Sequence, residues 1–177
     1  MYPEKYSKDL KKSRDKKKTV WEIAVSLGFT ASFLIVGPLI HELGHVAVVE
    51  YINCPYTFSL DFAILSGLYG SISPFCSLTT IEAVAFYISG YAATILLGTL
   101  TLSASYLYVK RRKALSLISA GLFMSVLLGL GHGDLPALSN YVAPGQTPMI
   151  LSVLLIVLAG TTVSLNQLFR KEEDQKE

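Results

Sequence analysis

The sequence predicts an all-α membrane protein with four transmembrane helices and a short β-hairpin or re-entrant segment between the first two. Of its 177 residues, 51% are hydrophobic and only 16% are charged. All 15 Lys and Arg residues lie in three clusters, within residues 5–18, 110–113 and 170–176. A soluble globular domain distributes basic side chains over its whole surface, so this clustering favours a protein with several membrane spans.

Four apolar stretches are long enough to cross a membrane, and we predict spans at about residues 20–52, 83–109, 114–138 and 149–168. A hydrocarbon core of about 30 Å requires roughly 20 apolar residues of helix. Each span must be helical, because lipid offers no hydrogen-bond partner to backbone N–H and C=O groups. A basic tail of residues 1–18 precedes a single domain of residues 19–169, and a polar tail of residues 170–177 follows it.

The charge pattern also predicts the orientation of the spans, because cytoplasmic loops carry the excess of Lys and Arg. Residues 1–18 and 110–113 are basic, whereas the connections 53–82 and 139–148 contain no Lys or Arg. We therefore expect a multi-pass protein in the lipid bilayer, with both termini cytoplasmic and the two uncharged connections outside. The basic tail is expected to rest on anionic lipid. Nothing in the pattern indicates nucleic-acid binding.

The long outer connection contains a strand-like pattern. Apolar side chains alternate with polar ones at Tyr56, Phe58, Leu60 and Phe62, which is the period of a β-strand. A second short apolar run follows, interrupted by glycines and a proline. These features predict a hairpin or re-entrant segment at the membrane surface.

Cys54 and Cys76 both lie in this connection. An oxidising face would permit a disulfide, but two cysteines without further context are weak grounds for one. We expect two buried thiols.

A metal-binding motif, His41-Glu42-Leu43-Gly44-His45, lies late in the first span. Positions i and i+4 of a helix share one face, so both imidazoles can bind one Zn²⁺. The Glu beside the first ligand can then act as general base toward a metal-activated water. Charges at bilayer depth are costly and rare without a function. The alternative, a polar cluster that only joins helices, is disfavoured by the spacing.

A catalytic zinc needs a third protein ligand and one position open to water. The two motif histidines lie 23 and 27 residues after Lys18, and Asp134 lies 21 residues after Lys113. Spans one and three run in the same direction, so Asp134 reaches the depth of the histidines. We predict one Zn²⁺ per chain with Asp134 as third ligand. His132 is assigned as a supporting partner of that carboxylate, and which of the two ligates stays open.

The order of these features resembles the core of the site-2 protease family of intramembrane zinc metalloproteases. It runs from H-E-L-G-H late in one span through a strand-like segment to S-G-Y-A-A-T at residues 89–94 and an Asp late in the next span. The resemblance covers about residues 33–138. It implies a zinc metalloendopeptidase that hydrolyses a peptide bond in or near the transmembrane segment of a protein substrate.

The resemblance also implies roles for individual residues. His41, His45 and Asp134 would be the zinc ligands, and Glu42 would be the base. The segment from Tyr56 through Phe58 and Leu60 would offer an edge where an unwound substrate strand can pair.

Three departures from the family pattern stand beside the resemblance. The second core span usually opens with Gly-Pro followed by an Asn, and here those positions read Gly90, Tyr91 and Thr94. Thr94 is left as a candidate for substrate positioning or for support of the ligands. The Asp is followed by Leu135-Pro136 rather than by Gly. Finally, the charge rule places the motif near the outer face, whereas the family generally has it toward the cytosol.

Two other functions remain open from the sequence. A membrane adaptor or chaperone could keep the fold without catalysis, a reading that the altered Gly-Pro-x-x-Asn positions favour and an intact Glu42 disfavours. Another membrane-embedded zincin, such as a prenyl-protein protease, would take a Glu from a later helix as third ligand. No Glu lies between Glu82 and Glu172, and Glu50 and Glu82 are fallback ligands only.

Overall fold

The computed structural model describes residues 4–63, 67–108, 111–130, 134–138, 141 and 146–169. The described chain is mostly helical and has one antiparallel sheet of two strands. Its elements are α1 (Glu4–Ala31), a π-helical turn (Ser32–Val36), α2 (Gly37–Tyr51), β1 (Tyr56–Ala63), β2 (Gly67–Pro74), α3 (Thr80–Leu107), α4 (Arg112–Leu130), α5 (Asp134–Leu138) and α6 (Gln146–Phe169).

The first helix is longer than predicted, because the basic tail is itself helical from Glu4. Lys and Glu are good helix formers, and a residue added to an existing helix avoids the cost of nucleation. The chain then continues without a break into α2 through the π-helical turn. Pro38 lies in the first turn of α2. Because proline has no backbone N–H, one hydrogen bond is missing from the continuous helix at this point, which leaves a gap. The π-helical turn accommodates that gap directly before the metal-binding motif.

The hairpin predicted between the first two spans is confirmed. β1 pairs with β2 in a register that sets Phe58 opposite Ile72 and Leu60 opposite Gly70. Apolar side chains of both strands share the face that is turned toward α2, and Ile72 is buried there. The other face is polar, and Ser59 and Ser71 hydrogen-bond across it at 2.9 Å.

The prediction of two free thiols is wrong, because Cys54 and Cys76 form a disulfide. Cys54 follows the end of α2, where Asn53 adopts a left-handed conformation (φ 53°) that Asn tolerates better than most residues. Cys76 follows the end of β2. The pairing of the strands brings the two cysteines together across the open end of the hairpin, which their separation of 22 residues did not reveal.

α4 occupies the centre of the helical bundle. It packs against α1, α2, α3 and α6, and a buried apolar cluster around Phe123 and Val126 joins it to α3, α5 and α6. The third predicted span, residues 114–138, contains α4 and the short helix α5, which begins at Asp134. Residues 131–133 between them lie outside the described residues, so the continuity of this span stays a prediction.

Two helices in the described part of the chain are long and apolar enough to cross a membrane, Lys16–Tyr51 and Thr80–Leu107. A shorter apolar helix covers Ser152–Gln167. Large apolar side chains such as Leu27, Leu100 and Leu158 are exposed on the outside of the bundle, as expected of a surface that meets lipid. The division into four spans stays a prediction.

Candidate metal centre

The two motif histidines and Asp134 converge at one point of the bundle. His41 and His45 project from the same face of α2, and Asp134 is the first residue of α5. The Nε2 atoms of His41 and His45 lie 2.7 and 3.0 Å from Oδ2 of Asp134. The two Nε2 atoms lie 3.2 Å from each other. This group could hold a metal ion.

The separations of these three atoms fit a metal site. In a tetrahedral zinc site with bonds of about 2.0 to 2.1 Å, neighbouring ligand atoms lie about 3.3 Å apart. The observed separations of 2.7 to 3.2 Å are slightly shorter, a difference that small side-chain rotations remove. Two imidazoles and one carboxylate are also a common donor set of catalytic zinc.

The hydrogen bonds of His45 favour the same interpretation. Its Nδ1–H donates to the backbone carbonyl of Phe86 at 2.6 Å, so a neutral ring keeps its lone pair on Nε2. That lone pair faces the Asp134 oxygen at 3.0 Å, and two acceptors in this arrangement need a proton or a metal ion between them. Carbonyl groups that fix the tautomer in this way are typical supports of metal-binding histidines.

His41 is positioned by packing against α3. Its ring meets the edge of Tyr91 with a centroid distance of 4.8 Å and an interplanar angle of 80°. Gly90 lies directly beneath the ring. A Cβ atom at Gly90 would come within 2.7 Å of Cε1 and Nε2 of His41. One turn further along α2, Gly44 approaches the backbone of α3 at Ser89 and Gly90 equally closely.

Gly90→Ala is therefore expected to weaken metal binding by about 10- to 100-fold, the usual loss when a support of a metal ligand is disturbed. The added methyl group must displace the His41 ring or push α2 away from α3. Gly28→Ala is the matched control, because a Cβ there meets only Ile118 at an ordinary 3.8 Å. The measurement is the affinity for Zn²⁺ by competition with a chromophoric chelator. Equal affinities of the two variants would contradict this role of Gly90.

Glu42 lies between the metal-binding helix and the hairpin. Its side chain is only 9% exposed and is within electrostatic range of both histidines and Asp134. Gly70 of β2 packs against its Cγ atom so closely that a Cβ at that position would overlap with it. The glycine thus allows the strand to cover the carboxylate and limits the rotamers that Glu42 can adopt.

A cavity of about 550 Å³ opens onto the site. Its polar end is formed by the three ligand side chains and Glu42, and its walls include Pro38, Phe86, Tyr87 and Ser125. Every residue from 68 to 74 also borders it. Successive residues of a strand point to opposite faces, so an unbroken run of seven lining residues means that the cavity follows the edge of β2.

The predicted pairing strand was β1, through Tyr56, Phe58 and Leu60, and the structure instead brings β2 to the cavity. One edge of β1 is occupied by β2 itself. The alternating pattern of β1 made it the more visible strand in the sequence. β2 contains two glycines and a proline among its eight residues. These residues are unfavourable in strands and interrupt the hydrophobic alternation that identifies a strand in a sequence. Its one signal was Gly70, whose missing side chain permits close backbone approach.

The remaining candidates lie outside the ligand group. The hydroxyl of Thr94 donates to the carbonyls of Gly90 and Gly37 at 3.0 and 3.4 Å, so it supports α2 and does not border the cavity. His132 lies outside the described residues. The two fallback ligands are engaged elsewhere. The hydroxyl of Tyr56 donates to Glu50 at 2.9 Å, which raises the pKa of Tyr56.

Glu82 belongs to the start of α3, where it forms a capping box with Thr79. The backbone N–H of Thr79 donates to the Glu82 carboxylate at 2.8 Å, and the Glu82 N–H donates back to the Thr79 hydroxyl at 3.4 Å. Such a box satisfies two backbone donors at the end of the helix. Neither fallback carboxylate approaches the metal-binding group.

Comparisons with protein-family models, with curated proteins and with solved structures find no match for this chain.

Proposed function

We propose that this protein is an intramembrane zinc metalloendopeptidase that hydrolyses a peptide bond in or near the transmembrane segment of another protein. One observation carries the proposal. Two imidazoles and a carboxylate converge beside a buried glutamate, on a cavity that runs along the edge of β2 that pairs with no other described strand. A ligand group, a base and a place for an extended chain are the three parts that metal-dependent peptide hydrolysis requires.

His41, His45 and Asp134 would hold the zinc. When bound, a zinc ion lowers the pKa of a water molecule and polarises the scissile carbonyl. The choice of zinc over other divalent ions rests on the donor set, because two imidazoles and one carboxylate suit a four-coordinate site with one open position.

Glu42 would move the protons. Its carboxylate accepts a proton from the attacking water as the water oxygen bonds to the carbonyl carbon. It then delivers that proton to the amide nitrogen as the C–N bond breaks, so one peptide bond and one water become a carboxylate and an amine. Burial beneath β2 keeps the carboxylate close to the reacting groups and away from bulk water.

The edge of β2 would hold the substrate. A peptide bond inside a helix has its carbonyl hydrogen-bonded and is inaccessible to attack, so the substrate must unwind before cleavage. An extended chain can recover its backbone hydrogen bonds by pairing with a free strand edge. The edge bordering the cavity leads along residues 68–74 toward Glu42.

The membrane arrangement in this proposal has four spans and cytoplasmic termini. Twenty residues beyond Lys18 reach Pro38, so the metal-binding group would lie at the outer boundary of the hydrocarbon. The disulfide between Cys54 and Cys76 favours an outer position for the hairpin, because disulfides persist where the surroundings are oxidising. The substrate bond would then lie near the outer end of a transmembrane helix, where unwinding costs least.

A catalytically inactive adaptor is the second candidate function. The altered positions at Tyr91 and Thr94 favour it, since the hydroxyl of Thr94 is directed to helix backbone. The buried Glu42 counts against it, because a structural metal has no use for a base.

Metal-dependent proteolysis tests the proposal directly. The purified full chain, reconstituted in lipid nanodiscs with Zn²⁺, is expected to cleave model transmembrane peptides that have a Gly-Pro stretch near one end. A chelator should abolish cleavage, and stoichiometric Zn²⁺ should restore it, whereas Mg²⁺ should not. Products are identified by mass spectrometry. Tight Zn²⁺ binding without cleavage of any peptide would favour the adaptor and overturn the protease.

A further inference from the structure

The developing negative charge on a scissile carbonyl oxygen is stabilised by hydrogen-bond donors as well as by a metal ion, and neither Thr94 nor its neighbour Tyr91 on α3 lines the cavity. Tyr91 is 2% exposed and packs its ring against His41. Thr94 is 1% exposed and donates to the backbone of its own helix and of α2. The donor must therefore come from a different residue.

Tyr87 lies one turn before Tyr91 on α3 and borders the cavity together with Glu42 and Asp134. Two aromatic neighbours hold its half-buried ring. Phe86 meets it edge-on at 5.2 Å, and Tyr141 lies at 6.0 Å. Its phenol hydroxyl is the polar group that this side chain brings to the cavity wall. No hydrogen-bond partner among the described residues occupies that hydroxyl.

The other hydroxyl groups around the cavity are engaged or turned away. Ser125 donates to the carbonyl of Leu122 at 2.7 Å, and Ser71 pairs with Ser59 on the polar face of the hairpin. Tyr69 and Ser73 belong to that same outer face of the hairpin, and both are exposed. Tyr87 is thus the half-buried hydroxyl residue of the described cavity wall that has no hydrogen-bond partner among the described residues.

We propose that Tyr87 is a catalytic residue whose phenol O–H donates a hydrogen bond to the oxygen of the scissile carbonyl as that oxygen gains negative charge. This inference rests on the proposed peptidase function. The proton stays on Tyr87 throughout, so the step changes no bond order in the protein. The hydrogen bond is stronger to the charged oxygen than to the neutral carbonyl, and it therefore lowers the barrier rather than tightening substrate binding.

The test is Tyr87→Phe, which removes one oxygen atom and keeps the ring packing. The loss of one such donor typically lowers kcat by about 10²- to 10³-fold, and we expect that loss with KM changed less than about twofold. Binding is the second readout. A peptide phosphonate, which carries the charged tetrahedral oxygens, should bind Tyr87→Phe about 10²-fold more weakly. The same peptide with a reduced CH₂–NH bond should bind both proteins equally.

Tyr106→Phe is the matched control, since Tyr106 is an exposed tyrosine near the far end of the same helix. It should leave all of these quantities unchanged. Metal affinity separates a catalytic from a positioning role, and Tyr87→Phe should bind Zn²⁺ as tightly as the wild type. Weaker Zn²⁺ binding would mean that Tyr87 positions Asp134 instead and would overturn the inference. Unchanged kcat and phosphonate affinity in Tyr87→Phe would overturn the role of Tyr87 but not the proposed function. A wild-type protein that cleaves nothing would overturn both.

Discussion

Glu42→Gln is expected to lower the rate of peptide cleavage by about 10²- to 10⁴-fold, the usual contribution of a general base, while the bound metal stays in place. The amide has the shape of the carboxylate and fits beneath Gly70 in the same way. It cannot accept a proton from water at neutral pH. Because Glu42 is not one of the three converging ligand side chains, the affinity for Zn²⁺ should change little.

Two measurements check this result, the cleavage rate of a model transmembrane peptide and the zinc content of the purified variant. Glu50→Gln is the control on the same helix, since Glu50 is exposed and pairs with Tyr56 away from the cavity. A Glu42→Gln protein that binds zinc and cleaves as fast as the wild type would rule out the mechanism. A variant that loses its zinc would instead show that Glu42 belongs to the ligand group.

The metal-binding group was predictable from the sequence because simple geometry determines it. Residues four apart on a helix share a face, which joins His41 to His45. Similar counts of residues, 23 and 27 after Lys18 and 21 after Lys113, then predict that Asp134 reaches the depth of the histidines. Both steps use only the rise of a helix and the location of its charged ends, and the three ligand atoms do converge.

The environment of that group was not predictable in the same way. β2 lines the cavity along its edge, and its glycines, serines and proline lack the alternation that identifies a strand. Its position depends on pairing with β1, a contact between residues up to 18 apart in the chain. The disulfide follows from the same pairing. Contacts of this kind depend on the folded arrangement, which local patterns of hydrophobicity do not encode.

Tyr87 illustrates a third case. The sequence directed attention to Thr94, because this residue occupies the position where the resembled family has an Asn. In the structure the close approach of α2 and α3 at Gly44 and Gly90 fills that level of the helix interface. The cavity lies one turn earlier on α3, at Tyr87. A shift of one turn moves a side chain by about 5.4 Å, which is enough to exchange a packing role for a catalytic one.

Asp134→Ala is expected to reduce Zn²⁺ affinity by more than the roughly 10- to 100-fold that the loss of a supporting hydrogen bond costs, and to abolish cleavage. The variant removes one of three ligand atoms and the carboxylate charge that faces two imidazoles at 2.7 and 3.0 Å. Asp134→Asn keeps the shape and one weaker oxygen donor, so its affinity should fall between those of Asp134→Ala and the wild type. Retention of the Cys54–Cys76 disulfide provides a check that the hairpin is intact in both proteins.

Glu82→Gln distinguishes this ligand group from that of a zincin with a glutamate as third ligand. A glutamine at the third helical position preserves the capping box with Thr79, so α3 should remain intact and Zn²⁺ affinity should not change. Loss of zinc in Glu82→Gln together with full affinity in Asp134→Ala would transfer the third ligand to α3 and refute the metal centre described above. The opposite result would assign the third ligand to Asp134 at the start of α5, 93 residues after His41 in the chain.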